Sequence, residues 1–197
     1  GPLAIDEALR FIHDAAKGLQ YAELKKIVHR DIKPDNLMLT ELAGVKIADL
    51  GIAHATESND PGAGVGGVLG TPHFISPEQA RGQPLDTRSD LYSLGATFFR
   101  MLTGRTPFSG QSAEEIIKKQ LKEAPPQVRD IRPEVPERVA QLVGKLLAKD
   151  PAQRHQNCGE LIAELELIRG GALSTGRKIA IATAVVVALT GGLGGWM

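Results

Sequence analysis

The sequence predicts a mainly helical domain with one short β-hairpin, followed by a single membrane-spanning helix. Three observations lead there. Apolar residues recur at helical spacing through most of residues 3–169. Two β-tolerant runs, LMLT and VKIAD, flank the Gly-containing stretch ELAG, which makes one hairpin. Finally, Ile179 to Met197 (IAIATAVVVALTGGLGGWM) contain no charged residue.

Each element has its own justification. Ile5, Leu9, Ile12, Ala16, Leu19 and Ala22 lie on one face of a helix expected over Ile5 to Leu24. The opening Gly-Pro-Leu reads as a turn before that helix rather than as a cleavage scar. From Asp49 to about Pro77 the chain is polar, Gly-rich and without periodicity; a stretch of that kind inside a domain is functional or disordered. Thr87 to Leu102 is apolar on several faces and predicts a central buried helix, with Gly104 as its stop. Ser112 with Glu115 reads as a capping box opening a helix of about ten residues. The four prolines of APPQVRDIRPEVPE mark an ordered connector, and Pro136 to Ala148 and Cys158 to Ile168 read as two further helices. No internal repeat appears.

The uncharged end would reach about 28 Å as a helix, close to a hydrocarbon core of about 30 Å. Arg177 and Lys178 precede it, and Trp196 lies where an interfacial aromatic is expected. The basic flank would hold the preceding domain in the cytoplasm, making a single-pass membrane protein. A buried core helix or a Gly-rich tail competes with this reading, given Gly191, Gly192, Gly194 and Gly195.

Composition narrows the function. At 197 residues the chain has room for one domain with a substantial core. Its 23 basic and 23 acidic residues balance, so the basic excess of a nucleic-acid binder is missing. Cys158 is the single cysteine, which excludes an internal disulfide and argues against a Cys-based zinc site. It reads as a small buried hydrophobe. The five histidines show no HExxH-type ligand spacing.

The chemistry concentrates in IVHRDIKPDNLML, Ile27 to Leu39. His29-Arg30-Asp31-Ile32-Lys33-Pro34-Asp35-Asn36 resembles the HRDxxxxN catalytic loop of protein kinases at every signature position. Phosphoryl transfer needs a carboxylate to orient and deprotonate the attacking hydroxyl, positive charge near the γ-phosphoryl oxygens, and oxygen ligands for magnesium. The resemblance assigns these to Asp31, Lys33 and Asn36, with Lys33 also contacting the nucleotide. Asp49 in Asp49-Leu50-Gly51 would be the second metal ligand, where most kinases have Asp-Phe-Gly. The Leu keeps an apolar residue and loses the ring.

Further kinase features follow in order. GTPHFISPEQ, Gly70 to Gln79, resembles the end of a serine/threonine kinase activation segment, with Phe74 in the usual Tyr position. By that resemblance Thr71 hydrogen-bonds toward Asp31 and Lys33, and Ser76-Pro77-Glu78 stands for Ala-Pro-Glu. Asp90 ties down the catalytic-loop backbone, and Arg154 pairs with Glu78. His29, Arg30 and Gly51 take structural roles. Arg30 before Asp31 suggests control by activation-loop phosphorylation, with Thr56, Ser58 and Thr71 as acceptors. GAGVGGVL, Gly62 to Leu69, satisfies G-x-G-x-x-G but follows no strand and opens no helix, so it reads as loop rather than nucleotide fingerprint.

The chain is thus identified as resembling the bacterial, eukaryotic-like serine/threonine protein kinases over about Leu3 to Arg169. The implied fold is the large C-terminal lobe of a kinase domain (1–169), with the N-terminal lobe absent, then a basic juxtamembrane linker (170–178) and a transmembrane helix (179–197). The implied cofactors are ATP and magnesium, with manganese as an alternative. The implied partners are Ser/Thr-containing protein substrates and the membrane, with homodimerisation also compatible. Without a smaller lobe, ATP binding by this stretch alone is expected to be poor. The alternative is a non-catalytic lobe that docks partners.

Overall fold

The computed structural model describes residues 1–40, 44–48 and 71–170. Helix α1 spans Ile5–Leu24, with Asp6 and Glu7 in its first turn against the positive end of the helix. Ahead of it, the Leu3 N–H donates to Met101 O at 2.8 Å and the Leu3 carbonyl accepts from Arg132 Nη1 at 2.7 Å, so the opening Gly-Pro-Leu is a strapped lead-in. At the far end Ile27 N–H bonds Ala22 O (3.0 Å) and Lys26 N–H bonds Glu23 O (2.8 Å), with Lys26 at φ 58°. This pair is a Schellman turn, with Lys in the left-handed position that Gly usually takes. It turns the chain sharply into residues 27–36.

A 3₁₀ turn, Pro34–Asn36, leads into strand β1 (Leu37–Leu39), which pairs antiparallel with β2 (Val45–Ile47). Leu37 stands opposite Ile47 and Leu39 opposite Val45. The hairpin is held on α1: Val45 N–H donates to Asp14 Oδ2 at 3.2 Å. Ile47 also comes so close to Gly18 that a Cβ there would meet its Cδ1 at 3.1 Å.

Short helix α2, Pro77–Ala80, starts with Ser76 Oγ accepting from Gln79 N–H at 3.2 Å. Helix α3, Thr87–Thr103, is the centre of the core, as the apolar run predicted. It is capped by Asp86 and ends at Gly104 in the left-handed region, φ 73°. Tyr92, Leu94, Phe98, Phe99 and Leu102 on α3 are fully enclosed. Helix α4, Ala113–Lys122, opens with Ser112 Oγ accepting from Glu115 N–H; Glu115 reaches back to Gln111 N–H rather than to Ser112.

The proline-rich connector contains a one-turn helix, α5 (Val128–Ile131), before α6 (Glu137–Leu146). Helix α6 is shorter than the expected Pro136 to Ala148 because Pro136 serves as its N-cap and Leu147 as its C-cap. A 3₁₀ turn, Pro151–Gln153, precedes a last helix, α7, over 158–170. Helices α1, α5 and α6 pack around α3. Gly95 permits the α3–α6 crossing, since a Cβ there would sit 2.6 Å from Leu146 Cβ. The expected membrane span, 179–197, and the linker ahead of it from 171 lie outside the described residues. Among the described residues no helix is long and apolar enough to cross a membrane.

Candidate active site

The turn after α1 delivers His29, Arg30 and Asp31 to the end of the hairpin. His29 is buried; its backbone N–H and that of Arg30 donate to the two oxygens of Asp90, each at 2.8 Å. Arg30 holds φ 69°, a left-handed conformation that a branched-free but bulky side chain rarely adopts. The Asp90 clamp and Gln79, whose Nε2 donates to Arg30 O at 2.8 Å, over-determine that peptide. Burial pushes the Asp90 carboxyl up to about 6, and the two N–H donors oppose that rise. At neutral pH Asp90 is still the double acceptor its position requires.

The clamp aims Asp31. Lys33 Nζ donates to Asp31 Oδ2 at 2.7 Å, and Asn36 Nδ2 donates to the same oxygen at 3.0 Å and to Asp31 O at 2.7 Å. Both donors converge on Oδ2, and among the described residues Oδ1 has none. Asn36 is 6% exposed, and its amide NH₂ is spent on Asp31, which leaves the carbonyl oxygen Oδ1 to serve as a ligand. A neutral oxygen donor beside a carboxylate suits a hard cation.

The 3₁₀ turn and β1 place Asn36 next to the end of β2: Ala48 N–H donates to Asn36 O at 2.9 Å, and His29 Nε2 lies 3.1 Å from Ala48 O. His29 therefore joins the loop before Asp31 to the residue before Asp49. Asp49, Gly51, Thr56, Ser58 and the Gly62–Leu69 stretch lie outside the described residues. Among the described residues, no three His, Cys, Asp or Glu side chains group as a metal site.

Glu78 and Arg154 meet in a bidentate pair, Nη1–Oε1 at 2.7 Å and Nη2–Oε2 at 2.9 Å, with side chains 7% and 0% exposed. Ser89 Oγ donates to Glu78 Oε1 at 2.7 Å. Arg154 completes its donors on the carbonyls of Ala148, Arg88 and Lys149. Burial alone would raise the Glu78 pKa, but hydrogen bonds and charge from Arg154 carry it below the ordinary value.

One expected contact is not formed. Thr71 is exposed and makes no hydrogen bond with Asp31 or Lys33 among the described residues. Lys33 Nζ donates to Asp31 Oδ2, and the Thr71 carbonyl accepts from Phe74 N–H. Sequence reasoning also missed Gln79, Ser89 and Ala48 as supports of the site. Gln79 lies inside the GTPHFISPEQ stretch, which was the one available signal for it.

Fold and site together have the form of a lobe of the kinase type. The protein kinase domain family matches residues 1–164, and the chain belongs to that family. The serine/threonine-protein kinase PrkC of Bacillus subtilis is 39% identical over 166 residues, which cover 84% of this chain and 26% of PrkC. The serine/threonine-protein kinase PknB of Mycolicibacterium smegmatis is 37% identical over 184 residues, covering 91% of this chain and 29% of PknB. The crystal structure of the Mycobacterium tuberculosis PknI kinase domain superposes with a TM-score of 0.63 at 25% identity, covering 84% of this chain and 56% of that one. The chain thus spans 26% and 29% of the lengths of these two curated relatives, both serine/threonine kinases.

Proposed function

We propose that this chain supplies the catalytic and substrate-receiving lobe of a serine/threonine protein kinase. The observation that carries the reading is the Asp31–Lys33–Asn36 cluster, closed at 2.7 and 3.0 Å on one carboxylate oxygen with the other left open. When bound, ATP with magnesium supplies the electrophilic γ-phosphoryl group and the neutralising charge. Asp31 Oδ1 receives the proton of the incoming Ser or Thr hydroxyl and orients that oxygen for in-line attack. Lys33 offers a cation toward the transferred oxygens, and Asn36 Oδ1 and the Asp49 carboxylate would be the oxygen ligands that hold magnesium. His29, Arg30 and Asp90 hold the loop in shape, and Glu78 with Arg154 fastens the segment that follows the substrate-receiving stretch from Thr71.

Met38 and Leu39 on β1, two and three positions after Asn36, are 59% and 65% exposed. Large apolar side chains beside a polar site are a surface for something that covers them, here a purine base or a second lobe. The proposal extends to the domain limits 1–169, 170–178 and 179–197, with the last as a membrane anchor that leaves the lobe cytoplasmic. The support is the uncharged run and its Arg177–Lys178 flank. Phosphorylation of Thr56, Ser58 or Thr71 and self-association rest on the family resemblance.

The test is transfer of labelled phosphate from ATP to a Ser/Thr-containing protein by the full-length protein. Asp31→Asn is expected to lower kcat by about 10²–10⁴-fold with stability unchanged. Equal activity of the variant removes the assignment of Asp31 as the base, and no transfer by the wild-type full-length protein leaves the docking lobe.

A further inference from the structure

Lys149 follows α6, and its carbonyl accepts from Arg154, but its side chain belongs to none of the groups assigned above. Its Nζ lies 4.1 Å from the centroid of the Phe108 ring and donates to Tyr92 Oη at 3.1 Å. Tyr92 Oη donates in turn to Gln120 Oε1 at 2.5 Å. Gln120 Nε2 then donates to His73 O at 2.8 Å and to Pro72 O at 3.4 Å. Tyr92 and Gln120 are both fully buried. The chain of bonds therefore runs without exposed links from the end of α6, through α3 and α4, to the backbone of residues 72–73.

The order of donors in this chain is fixed by its two ends. An ammonium has three donors and no acceptor, and a backbone carbonyl has no donor. With Lys149 charged, Tyr92 Oη must accept from it, so the phenol proton can only go to Gln120. Gln120 must then present its carbonyl to Tyr92 and its NH₂ to Pro72 and His73. Any flip of the amide would leave a buried carbonyl against carbonyls and a buried NH₂ against a hydroxyl that already donates elsewhere. Unpaired groups of that kind destabilise strongly in a low-dielectric interior.

We propose that Lys149 is a positioning residue for the substrate-receiving segment: by donating to Tyr92 it directs the phenol proton onto Gln120 Oε1 and so pins the amide that holds the Pro72 and His73 carbonyls. The assignment of 72–73 to substrate reception rests on the kinase reading, whereas the bond chain does not.

A consequence concerns pH. Burial and the Arg154 charge lower the Lys149 ammonium to about 8, with Arg81 acting the same way and Glu123 against it. Burial holds the Tyr92 phenol above its ordinary value, so it stays protonated throughout. Above about pH 8 the neutral amine can accept a hydrogen bond. The Tyr92 proton then has two acceptors, and the order of the chain is no longer unique.

The dipeptide His-Phe occurs once in the sequence, at His73-Phe74. Carbonyl-¹³C histidine combined with ¹⁵N phenylalanine therefore isolates one amide signal that reports His73 C=O. In the wild-type full-length protein that signal is expected to shift with a midpoint near pH 8. In Lys149→Arg, which donates at all pH values, the shift is expected to vanish. A signal without an inflection near 8, or the same inflection in both proteins, overturns the proposal.

The functional arm is the KM for protein substrate. Lys149→Met is expected to raise it about fivefold, the size of one net hydrogen bond, with the KM for ATP unchanged. Tyr92→Phe should do the same, and the double variant no more than either, because all three cut one path. An unchanged protein-substrate KM overturns the positioning role. If Lys149→Met does not fold, Lys149→Arg decides the matter: its KM should match wild type at pH 7 and stay flat to pH 9, where the wild-type value rises. Absence of any phosphate transfer by the wild-type protein defeats the kinase reading alone, and the amide signal still decides on the bond chain.

Discussion

Replacing Arg154 by Met tests the main fastening of the lobe. The guanidinium is fully enclosed, makes the bidentate pair with Glu78, and donates to three backbone carbonyls. Its removal leaves a carboxylate that is 7% exposed with Ser89 Oγ as its remaining side-chain donor. Breaking a buried pair from one side costs about 3–5 kcal/mol. The orphaned carbonyls of Ala148, Arg88 and Lys149 place the expectation at the upper end of that range. At about 2–4 °C per kcal/mol for a domain of this size, the melting temperature of the lobe should fall by roughly 10–20 °C.

The partner substitution should behave differently. Glu78→Gln keeps the shape and an oxygen for Ser89, and Arg154 retains its backbone acceptors, so the loss should be about 1–3 kcal/mol. Urea melts of both variants and the wild type give the comparison. A loss under about 1 kcal/mol for Arg154→Met, or a larger loss for Glu78→Gln than for Arg154→Met, would refute the reasoning. The pH dependence has a fixed sign. The folded-state pKa of Glu78 lies below its ordinary 4.5, so its ionised form adds stability above that pH. The advantage of wild type over Glu78→Gln should shrink as pH falls below about 4.5 and further through the folded-state value.

Three other outcomes follow from single contacts. The Asp90 pKa is raised from 3.8 to about 6, so ionising it destabilises the fold as pH rises through that window; in Asp90→Asn the urea midpoint should fall less between pH 4 and pH 6, while phosphate transfer is lost because the amide cannot accept from both His29 and Arg30. Gly95→Ala places a Cβ 2.6 Å from Leu146 Cβ and should cost about 1–3 kcal/mol in urea melts, with part recovered by Leu146→Ala. The Cys158 thiol, fully enclosed and pushed up to about 12 by burial, should react with a disulfide reagent only as fast as the protein unfolds.

What could be read in the sequence divides along contact distance. The residues of the catalytic loop, Asp31 to Asn36, lie within six positions of one another, so their spacing alone announced the cluster. The periodic helices α1, α3 and α6 were equally plain, because burial on one face leaves a repeating pattern. Asp90 and Arg154 lie 59 and 123 positions beyond Asp31 in the chain, and only the family resemblance pointed to them. Gln79, Ser89 and Gln120 act through hydrogen bonds to groups distant in the chain; a polar residue on a helix looks the same whether it meets water or a buried carbonyl. Helix α5 was hidden because one turn between prolines carries no period. The expected Thr71 contact with Asp31 and Lys33 rested on the family resemblance alone, and among the described residues no hydrogen bond joins them.

The hydrogen bonds around Arg30 explain why a site of three short-range residues needs a whole lobe. Left to itself, a non-glycine residue at φ 69° relaxes, and the strain is of order 1–2 kcal/mol. Here the two N–H groups before Asp31 are gripped by Asp90 from the buried helix α3, and the carbonyl after φ is gripped by Gln79 from α2. Helix α2 is in turn fixed through Glu78 to Ser89 on α3 and to Arg154 beyond α6. Asp90 and Ser89 are neighbours on one helix, so the grip on the loop and the grip on α2 share a support. A shift of α3 relative to α2 would pull on both sides of the Arg30 peptide at once, and the direction of Asp31 would change with it. The carboxylate is therefore aimed by helix packing rather than by the loop that carries it.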